Sequence, residues 1–76
     1  MDSAQERFKA RLGEGRAFAP SLVGLEREAA IEQATEHGFR PEAIPTTVEA
    51  ITADLVANRI RLFLDEDGSV VRATAG

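Results

Sequence analysis

The chain has no cysteine, so no disulfide and no thiolate metal site can help hold it together. Its one histidine, His37, excludes the common multi-histidine zinc arrangements and leaves a carboxylate-only calcium site as the remaining metal option. Basic residues are in the minority, nine against thirteen acidic ones. The net charge is -4 and the pI about 4.9, which argues against a nucleic-acid-binding domain with its basic face. No apolar run approaches the ~20 residues of a membrane span. There is no glycine-rich phosphate loop, and His37 has no Ser or Cys close to it in sequence, so no catalytic residue, metal or cofactor is assigned and the chain is not read as an enzyme. Met1-Asp2-Ser3 starts no secretory signal, so a cytoplasmic protein is expected, with secretion left open for a truncated sequence.

Seventy-six residues make one small domain that must be stable through packing alone. Residues 1–17 are polar and charged. Phe8 and Leu12 suggest a short frayed helix around Ala4 to Leu12, and Gly13-Glu14-Gly15 is expected to break it, leaving a flexible N-terminal arm. The main helix is expected from about Glu26 to His37. Glu26 and Glu28 favour its N-terminal end, Ala30, Ile31 and Ala34 form a narrow apolar stripe that Leu25 extends, and Gly38 provides a left-handed stop. His37 is read as a surface residue interacting with the helix end. Phe39 to Ile44 reads as an edge-like strand, because Pro41 removes a ladder donor.

The clearest pattern lies further on. From Arg59 the chain alternates, with Ile60, Leu62 and Leu64 on one face and Arg59, Arg61, Phe63 and Asp65 on the other. Asp65-Glu66-Asp67-Gly68 then makes a turn, and Ser69 to Ala73 a returning strand. The Asp-x-Asp-Gly fragment lacks the later ligands of a calcium loop and is read as a plain hairpin turn. Before the strand, Val48 to Asn58 forms a long connection that carries Thr52 and Asp54 on either side of Ala53. Arg59 and Arg61 share a strand face beside this returning loop. Guanidinium forks suit a hydroxyl and a carboxylate as acceptors, so the four residues can tie the loop down without a disulfide.

These blocks, in this order, resemble the potato inhibitor I family of serine protease inhibitors, from about Phe18 to Gly76. Pro20-Ser21-Leu22-Val23-Gly24 is similar to the family's opening Pro-x-Leu-Val-Gly, and Ala30 stands where the family has a small core residue. Thr52-x-Asp54 followed by Arg59-x-Arg61-Leu62-Phe63-Leu64-Asp65 is similar to its loop and central strand, and Gly76 to its glycine end. Phe18 lies one residue further from the proline than the family's usual Trp. The segment Ala73 to Gly76 lacks the basic residue with which some relatives brace the loop.

The resemblance implies an α+β fold over residues 18–76, a single helix packed on a small mixed sheet, with the strands flanking the loop parallel. It implies a substrate-like inhibitor, with Ile51, Thr52, Ala53, Asp54, Leu55 and Val56 as the protease-binding loop and Ala53–Asp54 as the bond attacked. Arg59 and Arg61 would then brace the loop. Ala53 suits a small or shallow pocket, so the expected partner is a subtilisin-like or elastase-like serine protease, engaged by a monomer with no nucleic-acid or membrane partner. The alternative function is a non-inhibitory protein–protein interaction domain on the same fold.

Overall fold

The computed structural model describes residues 3–47 and 55–76. Helix α1, Ala4–Phe18, begins at Ser3, whose hydroxyl accepts from the Glu6 amide at 3.1 Å. It runs into a short 3-10 helix, Ala19–Leu22, where Pro20 contributes no amide donor. Helix α2 spans Arg27–Glu36. Its first amide, Arg27 N, donates to Gly68 O at 2.9 Å, so the hairpin turn satisfies one of the donors every helix start leaves open. Its end is a Schellman arrangement, with Gly38 at φ +80, Gly38 N donating to Thr35 O and Phe39 N to Ala34 O, each at 2.9 Å. The glycine stop and helix bounds expected from sequence hold to within a residue.

Three strands follow: β1, Arg40–Pro45; β2, Arg59–Leu64; and β3, Val70–Ala75. The sheet order is β1-β2-β3, with β1 parallel to β2 and β2 antiparallel to β3. A parallel pair needs a long crossover, and residues 46–58 supply it. The β2–β3 turn is fixed by Asp65, whose Oδ1 accepts from Asp67 N at 3.0 Å and Ser69 N at 2.9 Å, with Gly68 at φ +81.

Ile60, Leu62 and Leu64 of β2 face the helices. With Leu22, Val70, Phe39, Ala19, Ala30 and Ala34 they form the core. Ala30 and Ala34 are fully buried, and their small side chains let α2 lie close to the sheet. The fold class is α+β, as expected.

Two expectations change. Where one packed helix was expected there are two, and Gly13-Glu14-Gly15 does not break α1. A Cβ on Gly15 would stand 2.9 Å from Ala75 Cβ and 3.2 Å from Phe39 Cε1. That glycine is the place where α1 approaches the sheet closely, and packing there overrides its poor helix propensity. The segment read as an arm thus carries a helix with Leu12 and Gly15 buried.

Candidate functional site: the braced return of the loop

Of the residues expected to form the protease-binding loop, Ile51, Thr52, Ala53 and Asp54 lie outside the described residues. Leu55 and Val56 are described. Leu55 is 58% exposed, and the Val56 carbonyl accepts from Arg59 N at 3.1 Å, which closes the turn into β2.

Arg59 and Arg61 lie on the sheet face opposite the helices, as the two-residue period requires. Neither is an open surface side chain: Arg61 is 6% exposed and Arg59 partly buried. Arg59 Nε donates to the Gly76 main-chain oxygen at 2.9 Å, while Gly76 N donates back to Arg59 O at 3.1 Å. Glu42, directly opposite Arg61 in the β1–β2 register, stands between the two arginines. One oxygen is 3.9 Å from Arg59 and the other 3.9 Å from Arg61. A guanidinium keeps its charge at any ordinary pH, and withdrawing it from water costs several kcal/mol before its partners offset the loss. An arginine buried on the sheet face where the loop returns is therefore a poor choice for stability alone.

The same face carries Phe63 and Ile44, paired in register and both buried, with the Arg72 guanidinium 4.1 Å above the Phe63 ring. A shallow cavity of about 320 Å³ lies beside the loop's return, lined by Arg40, Pro41, Glu42, Val56 and Arg59. Sequence reasoning found the arginines and missed Glu42. Its place opposite Arg61 depends on a parallel register that only the fold supplies. His37, expected at the surface, is exposed there. Its Nδ1 lies 2.9 Å from Gln33 O and its ring stacks on Phe18 at 4.2 Å, an arrangement that belongs to the end of α2.

Among solved structures, the bitter gourd trypsin inhibitor is similar to this chain at 30% identity and a TM-score of 0.67, covering 76% of this chain and 88% of the other. The chain belongs to the protease-inhibitor family of that bitter gourd protein. The elastase inhibitor AFUEI shares the fold at a TM-score of 0.58 and 16% identity, over 88% of this chain and 97% of its own. No family model and no curated protein matches the chain. Both structural neighbours are inhibitors rather than enzymes. Among the described residues, no group of acidic residues and histidine is placed to hold a metal ion, and no helix is long and apolar enough to cross a membrane.

Proposed function

We propose that this protein is a substrate-like inhibitor of serine endopeptidases, of the potato inhibitor I type, with Ala53–Asp54 as the bond presented to the enzyme. The observation that carries the reading is the set of polar contacts at the return of the loop. Arg59 is held by Gly76, and Arg59 and the buried Arg61 flank a solvent-exposed Glu42 directly after the loop. The similarity to the bitter gourd inhibitor supports it.

In this mechanism the protease's serine oxygen attacks the Ala53 carbonyl carbon, and the Ala53–Asp54 bond opens to an acyl-enzyme ester and a free Asp54 amine. The leaving segment leads within a few residues to Arg59 and Arg61. Because the brace keeps that segment from departing, the amine stays near the ester, attacks it, re-forms the peptide bond and releases the serine oxygen. Ile51 and Thr52 lie on the acyl side, and Leu55 and Val56 on the leaving-group side. An extended loop binds the cleft largely through main-chain hydrogen bonds, and its rigidity lowers the ordering cost of binding.

The bitter gourd protein inhibits trypsin, whose pocket takes a cationic side chain. Ala53 offers only a methyl group, so a subtilisin-like or elastase-like enzyme with a small or shallow pocket is the expected target.

The test is titration of subtilisin, elastase and trypsin with the purified protein, followed by mass spectrometry of each mixture. Inhibition of the first two, with the chain intact or nicked only at Ala53–Asp54, is the expected result. Scattered cleavage, or no interaction with any of the three, would refute it and favour a non-inhibitory interaction domain.

A further inference from the structure

Leu12 is 7% exposed, yet it stands outside the main core cluster. Its burial is explained by residues far along the chain. A Cβ placed on Gly76 would meet Leu12 Cδ1 at 3.4 Å and Leu55 Cδ2 at 3.1 Å. Leu12 therefore packs where the loop's return passes the end of β3.

Its neighbour Arg11 reaches the same region by a polar route. One guanidinium nitrogen donates to His37 O at 2.9 Å, Nε lies 3.4 Å from Asn58 Oδ1, and the third nitrogen pairs with Glu14 at 2.9 Å. The guanidinium carbon sits 3.8 Å above the Phe39 ring. Asn58 is the last residue before β2, and its carbonyl accepts from Arg40 N at 2.7 Å. Arg11 thus ties the turn that ends the loop to the end of α2 and the start of β1.

We propose that α1 is part of the loop brace, with Arg11 and Leu12 as positioning residues for the segment from Leu55 to Asn58. The inference rests on the inhibitor reading for its consequence, but not for its geometry. Gly15 permits the approach, because any side chain there would hold α1 off Ala75. Arg11 needs a planar fork, since it meets three acceptors in different directions while its face covers an aromatic ring. The helix reaches the return through Arg11 at Asn58 and through Leu12 beside Gly76, next to Leu55. Its loss loosens the leaving-group side of the loop and leaves the core of Leu22, Ile60, Leu62 and Val70 in place.

The experiment is native-state hydrogen exchange on the full chain with Arg11→Ala, Arg11→Lys and Leu12→Ala, and with Lys9→Ala as an exposed control on the same helix. The amides of Arg40, Arg59 and Gly76, whose hydrogen bonds define the return, are compared with the amides of the β2–β3 ladder. Roughly tenfold faster exchange at the return than in the ladder is expected for Arg11→Ala and Leu12→Ala, the scale of losing one charge-assisted or packed contact. Arg11→Lys should give an intermediate effect, and Lys9→Ala none. A merely structural role would accelerate both sets together, and that outcome, or no change at the return, overturns the inference.

The same variants are then incubated with subtilisin. Faster nicking of Arg11→Ala at Ala53–Asp54 than of the parent is the expected result, and equal nicking overturns the functional half of the proposal. If the parent inhibits no protease while exchange at the return still responds selectively, the brace stands and the inhibitor reading alone fails.

Discussion

Gly13 and Gly15 sit two residues apart on α1 and offer a matched pair of perturbations. In a helix interior each glycine costs about 1 kcal/mol relative to alanine, so propensity predicts the same gain from Gly13→Ala and Gly15→Ala. The surroundings differ. A Cβ on Gly13 meets nothing within 4 Å, whereas one on Gly15 meets Ala75 Cβ at 2.9 Å, Phe39 Cε1 at 3.2 Å and Ile60 Cδ1 at 3.5 Å. Ala75 Cβ hangs directly on the backbone of β3 and cannot swing aside, so relief requires α1 or the strand to move. Such overpacking costs about 1–3 kcal/mol. Gly13→Ala should therefore stabilise by up to about 1 kcal/mol. Gly15→Ala should fall between neutral and about 2 kcal/mol destabilising, once its own propensity gain is offset. The pair is to be measured by urea unfolding at a common slope and by thermal melts, where each kcal/mol moves the midpoint by roughly 4–8 °C in a domain of this size. Opposite shifts support the docking of α1 on β3. An equal stabilisation by both variants would refute it, and with it the geometric basis for α1 as a brace.

Three further outcomes follow from the site and the turn beside it. Arg61→Ala should turn inhibition into slow cleavage with the core still folded; an unchanged inhibition constant at equal stability would sink the clamp. Ala53→Leu should move preference toward proteases with larger apolar pockets by on the order of 1–3 kcal/mol, read as the ratio of inhibition constants for subtilisin and elastase against chymotrypsin. No change in that ratio would show that Ala53 is not the specificity residue. Asp65→Ala removes the acceptor of two turn amides and should cost about 1–3 kcal/mol by denaturant unfolding, whereas a neutral result would mean that Gly68 alone sets the hairpin.

What the sequence disclosed was local. The alternation from Arg59 to Leu64, the glycine after α2 and the Asp-Gly turn each depend on chemistry within a few residues, and each element lies where that chemistry puts it. The continuity of α1 was hidden because Gly15 reads as a helix breaker until Ala75, sixty residues away, explains it. The Ser3 hydroxyl, three residues before Glu6, was the available signal for where α1 begins. Glu42 was not legible either, because its position opposite Arg61 follows from a parallel pairing across the whole loop. Arg11 and Asn58 are forty-seven residues apart, and no periodicity links them. Of the candidate loop itself, the sequence names Ile51 to Asp54 on resemblance, and these lie outside the described residues.

The brace has a consequence for how the loop's return opens. A disulfide-free chain of this size has limited core to draw on, and a rigid loop must borrow its stiffness from that core. Here the return is approached from three separate segments. β3 reaches it through Gly76 on Arg59, β1 through Glu42 beside both arginines, and α1 through Arg11 and Leu12. Freeing it requires displacing contacts to all three, so its local opening should approach the cost of unfolding the domain rather than that of a loop. Gly76 contributes its backbone at φ +117, a conformation in which any other residue would be strained. Stiffness arises from distributing weak contacts across elements that are distant in sequence, and α1 contributes its share through Arg11 and Leu12.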